Sequence, residues 1–474
     1  MNKGPASKVS LRRNLLLFSA LLVFLACAAV LMTAPLWFLF RGESPSTVEE
    51  VATPTFTSVA VNRSAEASTE AQPEGPSRRS PTDPLPSATA SPTATLTTTN
   101  TPTPIPDVTL APTPTLTQLP GPPRMDSPEY GMQAFLWWRG ETADRDLRLI
   151  KEAGFQWVKQ SFPWRDIEGA AKLHFDWSRP DRVVEQVEKY GLKLLARVDR
   201  QPAWAGGGYP DNGPPDNYQD FADFLYALAS RYRGRIHAYQ IWNEPNLNVP
   251  GRSEWGGRPP NPAEYTALLK VAYQAIKQAD PNALVVSAGL SPTTRWDSVA
   301  MPDVEFLRQM YANGARPYFD ALGVHAAGYK VPPETDPSVV ARDPELNNYD
   351  PSPEELKRIY CFRHVEDLRQ VMVENGDADK QVVVLEFGWT IDPRPESPYH
   401  WHAVSDLEQG QYLVRAYQYA KENWTPWIGL MSLIYMPNSD WTWDDEQYWW
   451  SVIEPGYPEF KVRRAYMMLK KMEK

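Results

Sequence analysis

Eight short apolar runs follow one another after residue 123, and stretches with helical character separate them. The runs span residues 130–135, 156–159, 193–198, 238–242, 284–288, 321–324, 382–385 and 428–435. The seventh run reads Val-Val-Val-Leu and is apolar on both faces, as expected of a parallel strand buried on both sides. Eight strands that alternate with helices predict an α/β fold of the (β/α)8 TIM-barrel type. An open doubly wound sheet is the alternative, but no glycine-rich phosphate loop follows the first run.

The stretches between the runs carry helix signals of two kinds. One amphipathic stripe recurs at spacings of three and four residues, at Phe221, Phe224, Leu225, Leu228 and Tyr232. A helix start is predicted at Asn261-Pro262, because an asparagine side chain caps free N–H groups and proline suits the first helical position. Both signals support helices between the strands.

The first 40 residues have the pattern of a membrane anchor. Residues 15–40 are apolar and carry no charge, which is long enough to cross a hydrocarbon core of about 30 Å. Basic residues precede this run and acidic residues follow it, so the N-terminus is expected in the cytoplasm. We therefore expect residues 1–40 to form a cytoplasmic tail and a transmembrane signal-anchor helix in the cell membrane, with the rest of the chain extracytoplasmic. Secretion after cleavage of a signal peptide is the alternative.

Residues 41–123 are rich in serine, threonine, proline and alanine and are predicted to form a disordered stalk. Large apolar residues are sparse there and show no period, so this segment cannot bury a core. Proline favours extended polyproline II conformations, which makes such a segment a semi-rigid spacer. The sequence thus divides into an anchor (1–40), a stalk (41–123) and a barrel domain (124–474).

Charge and cysteine content exclude several classes of function. The formal net charge is −10, whereas a nucleic-acid-binding protein would carry a clustered basic surplus. The only two cysteines are Cys27 and Cys361, which cannot supply a disulfide framework or a cysteine zinc site. We expect no nucleic-acid partner, no cofactor and no metal.

Polar residues follow the apolar runs where a barrel would place its active site. Asn243 and Glu244 follow the fourth run, His325 follows the sixth, and Glu386 follows the seventh. In a (β/α)8 barrel the carboxyl ends of all strands open into one mouth. The two glutamates are therefore expected to face each other across that mouth.

Two motifs around these glutamates resemble the paired signatures of clan A glycoside hydrolases. They read Trp-Asn-Glu-Pro-Asn at residues 242–246 and Glu-Phe-Gly-Trp at residues 386–389. Segments 154–158, 163–168, 190–193 and 202–205 are also similar to families 39 and 5 of this clan. The resemblance covers residues 130–474.

This resemblance implies a retaining double displacement on an oligo- or polysaccharide. Glu244 would be the acid/base and Glu386 the nucleophile, while Asn243 would bind the sugar 2-hydroxyl. The chemistry independently requires two such carboxyl groups, one protonated to serve the leaving oxygen and one ionised on the other side of the anomeric carbon.

The chain also departs from the pattern of its relatives. Many clan members place an arginine on strand two, where this chain has Lys159. Relatives often read His-x-Tyr after strand six, and their Tyr touches the nucleophile, whereas here three residues separate His325 from Tyr329. Arg197 on the third run is a candidate for the missing cation. We predict that these four residues bind substrate or support the nucleophile.

Loop tryptophans suggest a carbohydrate ligand, because flat aromatic faces stack on sugar rings. Trp389 and Trp441 follow the seventh and eighth runs and are predicted to contact substrate. Two other functions stay open: an inactive carbohydrate-binding or sensor module on the same fold, and a structural envelope protein. The sequence leaves the sugar, the linkage, endo or exo action and the oligomeric state undecided.

Overall fold

A computed structural model describes residues 124–250 and 252–474 of the chain. The predicted anchor (1–40) and stalk (41–123) lie outside the described residues. Within the described ranges, no helix combines the length and apolar character needed to span a membrane.

Eight parallel strands close into a barrel, which confirms the predicted (β/α)8 architecture. The strands are β1 (Glu129–Gln133), β2 (Trp157–Ser161), β3 (Lys193–Val198), β4 (Ala238–Ile241), β7 (Leu284–Val286), β8 (Ala321–Ala327), β9 (Gln381–Gly388) and β10 (Ile428–Leu433). Their order around the barrel is β1-β10-β9-β8-β7-β4-β3-β2. A small antiparallel hairpin of β5 (Asn248–Val249) and β6 (Arg252–Ser253), which the sequence did not reveal, lies in the loop after β4.

Helices connect the strands. They are α1 (Gly140–Glu152), α2 (Trp164–Ile167), α3 (Ser178–Lys189), α4 (Tyr218–Arg231), α5 (Pro262–Ala279), α6 (Asp303–Ala312), α7 (Pro337–Arg342), α8 (Val365–Glu374), α9 (Asp406–Asn423), α10 (Glu446–Trp450) and α11 (Arg464–Lys471). The predicted start of α5 is confirmed, since the Asn261 side chain accepts hydrogen bonds from the backbone of Ala263 and Glu264.

Alternation along the strands divides the core into two layers. In β9, Val383 lies in the apolar cluster inside the barrel, whereas Val382 and Val384 pack in the cluster shared with the helices. All three are fully buried, which is why the run is apolar on both faces. The interior layer ends before the carboxyl ends of the strands, where polar side chains replace it.

A bulge in β9 sets the orientation of its last residues. Val384 pairs with Val324 and Glu386 pairs with His325, so that one extra residue, Leu385, stands between the two pairs. Leu385 faces the barrel interior, and the extra residue lets Glu386 face inward as well. The strand thus continues past the predicted end, and Glu386 and His325 lie within strands rather than after them.

Candidate active site

Glu386 lies at the mouth of the barrel in an ion pair with Lys159 of β2. Lys159 Nζ donates to Glu386 Oε1 at 2.8 Å and to the carbonyl oxygen of Leu385 at 3.2 Å. Burial alone would raise the pKa of Glu386, but the charge of Lys159, with smaller contributions from His325 and Arg197, lowers it to about 2. The predicted nucleophile is therefore held ionised, with Lys159 as its ion-pair partner.

Glu244 is presented by a strained loop after β4. Trp242 and Glu244 have φ angles of 71° and 41°, a region that non-glycine residues seldom adopt. The loop is held by the backbone N–H of Glu244, which donates to the carbonyl of Gly289 at 3.0 Å, and by the Trp242 indole, which donates to the carbonyl of Glu254 at 2.8 Å. These contacts fix the direction of the Glu244 side chain.

His325 stands between the two carboxyl groups. Its Nδ1 lies 2.9 Å from Glu244 Oε1, within a hydrogen bond, and its Nε2 lies 3.9 Å from Glu386 Oε1. One imidazole ring therefore separates the predicted acid/base from the predicted nucleophile. Binding of substrate by His325, as the sequence predicts, stays a prediction.

Gly289, which the sequence analysis did not single out, leaves room for that imidazole. A Cβ atom at residue 289 would come within 2.2 Å of the His325 ring. Any larger residue would push His325 out of its place beside Glu244. No sequence pattern marks this role, because a single glycine after a strand is just as typical of an ordinary turn.

Two further groups complete the polar lining near β3 and β4. The carboxylate of Asp199 lies 3.2 Å from Arg197 Nε. The buried amide of Asn243 accepts a hydrogen bond from Gln240 Nε2 at 3.4 Å. Arg197 thus lies within β3 and Asn243 just after β4, and binding of substrate by either residue stays a prediction.

Glu254, directly after β6, is a further buried carboxyl group that sequence reasoning missed. Burial, followed by the charge of Asp199, raises its pKa to about 8, so it is mainly protonated at neutral pH. Its side chain accepts a hydrogen bond from the Asn212 amide. No sequence pattern marks it, because it follows the hairpin rather than a barrel strand.

Tyr329 packs in an aromatic cluster of the loops after β8 and β9, and its contact with substrate stays a prediction. Its ring centroid is 5.0 Å from that of Tyr360, 5.8 Å from Trp401 and 5.2 Å from His402. Tyr435, after β10, interacts electrostatically with both glutamates. Burial raises its pKa well above 10, and the negative charge of Glu386 raises it further. Tyr435 was missed because it lay inside the eighth predicted run.

The two predicted tryptophans occupy different environments. Trp389 has no exposed surface, and its indole donates to the carbonyl of Val331 at 3.0 Å. The prediction that Trp389 contacts substrate is therefore wrong, because its ring packs in the core behind β9. Trp441 is partly exposed and packs on Phe135 and Tyr435 at centroid distances of 4.8 and 5.3 Å. Trp441 therefore lies near the mouth of the barrel. Its stacking on a ligand stays a prediction.

Together these groups form the parts of an acid/base and nucleophile pair. One carboxylate is ionised and balanced by an ammonium group, and the other is hydrogen-bonded to an imidazole. Such a pair can protonate a leaving oxygen and attack the adjoining carbon.

Comparison with known proteins agrees with this chemistry. A family model described as "Cellulase (glycosyl hydrolase family 5)" matches residues 123–318, which include the loop that carries Glu244. No curated protein matches the chain.

Three solved structures are similar to this chain, and the first of them shares its fold. A family 39 glycoside hydrolase from Bacteroides cellulosilyticus WH2 superposes with a TM-score of 0.52 at 19% identity, over 73% of this chain and 63% of its own. This chain thus spans less than two thirds of that enzyme. A glucosidase from Croceicoccus marinus has a TM-score of 0.47 at 13% identity, covering 74% of this chain and 68% of its own. Xylanase 10B from Thermotoga maritima has the same TM-score at 12% identity, covering 73% and 94%.

Proposed function

We propose that the chain is a clan A (β/α)8 glycoside hydrolase, and that it is a retaining glycosidase that uses Glu386 as nucleophile and Glu244 as acid/base. The observation that carries this proposal is the unequal environment of the two carboxyl groups. Glu386 is ion-paired with Lys159, whereas Glu244 has no cation other than the His325 imidazole within hydrogen-bonding distance among the described residues. Such a difference is what separates a nucleophile from a proton donor.

In the first step, Glu386 attacks the anomeric carbon while Glu244 gives its proton to the leaving oxygen. The glycosidic bond breaks, a glycosyl ester forms on Glu386, and the negative charge of that carboxylate disappears. Lys159 then faces an ester rather than a carboxylate, so its attraction favours the later return of the carboxylate as leaving group.

In the second step, Glu244 is ionised and takes a proton from water, which attacks the anomeric carbon and releases Glu386. The hydrogen bond from His325 Nδ1 keeps the Glu244 carboxyl group oriented in both steps. Asn243 supports the reaction by binding the sugar 2-hydroxyl, an interaction that strengthens in the transition state.

We further propose that the substrate is an oligo- or polysaccharide met outside the cytoplasm. This proposal rests on the sequence of residues 1–123, whose apolar run and Pro-rich stalk would display the barrel on the membrane. Recovery of the full-length protein in the membrane fraction would support this location. A mature N-terminus sequenced near Ala29, with the protein released into the medium, favours secretion instead.

Two alanine variants in the presence of azide test the catalytic assignment. Glu386→Ala removes the nucleophile, so turnover should fall by several orders of magnitude. Azide that enters the vacated space should give a glycosyl azide of inverted configuration. Glu244→Ala still forms the intermediate from activated aryl glycosides, so azide should give product of retained configuration. If both folded variants hydrolyse a confirmed substrate at the wild-type rate, the assignment is wrong and an inactive binding module replaces it.

A further inference from the structure

Arg197 is largely buried, with 11% of its side chain exposed, and its buried Nε makes no hydrogen bond to any described residue. Asp199 Oδ2 lies 3.2 Å from its Nε, but not in hydrogen-bonding geometry, and neither oxygen of Asp199 has a hydrogen bond. The exposed pair Arg231–Asp181 shows the contrast, since Arg231 donates two hydrogen bonds of 2.9 and 2.6 Å to that carboxylate. Buried guanidinium donors are expected to have acceptors, so Arg197 lacks a partner that a ligand would supply.

Arg197 lines a small cavity together with Lys159, the ion-pair partner of Glu386. The cavity has a volume of about 30 Å³ and its lining includes Gln133, Phe135, Lys159, Ser161 and Arg197. The buried Gln133 Oε1 and Ser161 Oγ atoms also lack hydrogen-bond partners among the described residues. Lys159, which lines the cavity, also donates a hydrogen bond to Glu386, so the cavity lies close to the predicted nucleophile. Its size suits one hydroxyl-sized group.

The charges around the cavity already balance. Lys159 is paired with Glu386, and Arg197 is paired with Asp199. Burial would lower the pKa of Arg197, but Asp199 and then Glu386 raise it, so the guanidinium stays charged. A carboxylate brought to Arg197 would add a second negative charge beside Asp199 and Glu386, whereas a hydroxyl adds none.

On the basis of the proposed glycosidase function, we propose that Arg197 and Asp199 act together as the specificity-determining pair for the glycone. Arg197 donates to a hydroxyl oxygen of an uncharged sugar, and the fixed charge of Asp199 disfavours a uronic acid at the same place. A hydroxyl also fits Gln133 and Ser161, because it both donates and accepts a hydrogen bond. The substrate class is thus a glycan whose cleaved residue carries free hydroxyls and no carboxylate.

The first test compares neutral and acidic glycosides on the full-length wild-type protein. Nitrophenyl glucoside and galactoside are matched with the glucuronide and galacturonide, which differ only at C6, and xyloside, mannoside and arabinoside complete the neutral set. We expect kcat/KM for the best neutral substrate to exceed that for the best uronide by about 100-fold, because like charges in a buried site repel strongly. Equal or faster hydrolysis of a uronide overturns the proposal.

Two variants separate the roles of the pair. Arg197→Gln should lower kcat/KM for the best neutral substrate by about 30-fold, the loss expected for a charged hydrogen bond. Asp199→Asn should reduce the ratio of kcat/KM for the neutral substrate to kcat/KM for the acidic substrate by about 10-fold, because it removes a charge that repels the acid. Arg231→Gln is the matched control and should leave both values unchanged. If Arg197→Gln lowers kcat/KM for the neutral substrate no more than this control does, the proposal fails. If a variant does not fold, the proposal is judged on the ratio of kcat/KM for neutral and acidic substrates in the wild-type protein.

Measurements of disaccharide binding distinguish failure of this inference from failure of the proposed glycosidase function. If no glycoside is hydrolysed, the glycosidase proposal fails, and calorimetry on the same protein then compares cellobiose and xylobiose with digalacturonic acid. Tighter binding of a neutral disaccharide, weakened by Arg197→Gln, supports the role of the pair. Tighter binding of the acid, or no binding of any of the three sugars, overturns it.

Discussion

Lys159 Nζ and Glu386 Oε1 lie 2.8 Å apart, although their strands β2 and β9 are separated in the barrel by β1 and β10. The ammonium group therefore reaches across the mouth to the nucleophile. It balances the carboxylate from the opposite wall, in place of the strand-two arginine that many relatives carry. Lys supplies one charge and three donors without the planar fork of arginine, so the contact is a point-charge interaction.

Removing Lys159 should shift the acidic limb of the pH profile. The lysine is the largest influence that lowers the pKa of Glu386, against a burial effect that raises it. In Lys159→Met the burial effect remains, so the pKa should rise and the acidic limb of kcat/KM should move upward by about one pH unit or more. Steady-state rates between pH 2 and 7 check this, because the wild-type limb is expected near the low end of that range. Lys189→Met, which breaks only the exposed pair with Asp144, should leave the limb in place.

Gly289→Ala should damage activity through His325. The added methyl group would overlap the imidazole, which must move away from Glu244. We expect kcat to fall by about 100-fold, the scale of a misplacement of about 1 Å in a catalytic arrangement. Gly140→Ala is the control, since a Cβ there meets its nearest atom at 3.6 Å. Wild-type kcat in a folded Gly289→Ala variant would contradict the positioning role of His325.

Trp441→Ala should weaken substrate binding more than chemistry. The ring packs on Phe135 and Tyr435 with part of its surface exposed at the mouth. Loss of a stacking contact of about 1 kcal/mol should raise KM about 5- to 10-fold and leave kcat within about twofold. The comparison is Trp443→Ala, because Trp443 is 62% exposed. Equal KM values for the two variants would show that Trp441 does not contact the substrate.

Because of His364, the free energy of unfolding of the barrel should decrease as the pH rises into the alkaline range. The ring lies between Asp303 Oδ2 at 2.8 Å and Asp367 Oδ2 at 3.0 Å. Burial would lower the pKa of His364, but Asp303 and then Asp367 raise it from 6.5 to about 10. Because the folded pKa is raised, the protonated pair stabilises fully below about pH 6.5 and is lost progressively as pH rises towards 10.

Urea unfolding at pH 6, 8 and 9.5 measures this dependence. We expect the free energy of unfolding to fall with pH by an amount on the order of a few kcal/mol, and His364→Gln to remove most of that slope. His174→Gln, at an exposed histidine, should retain the slope. An unchanged slope in His364→Gln would locate the pH dependence elsewhere.

The sequence by itself determined the eight strands and the two glutamates. Runs such as 382–385 are apolar on both faces because the strand is buried between the barrel interior and the helices, and this property is local to the run. The Asn261-Pro262 helix start was equally local, because capping involves only neighbouring backbone groups. The Asn243-Glu244 pair and Glu386 were marked by their place after apolar runs.

Only the tertiary structure decided which side chains meet at the mouth. Glu386 faces inward because of an extra residue in β9 that pairing with β8 reveals. Lys159 reaches it across two intervening strands, whereas Trp389, three residues further on, is buried behind the sheet. Bulges, loop strain and contacts between distant strands depend on the closed barrel as a whole. They leave no periodic pattern in the chain, so the sequence could name the carboxyl groups but not the groups that orient and balance them.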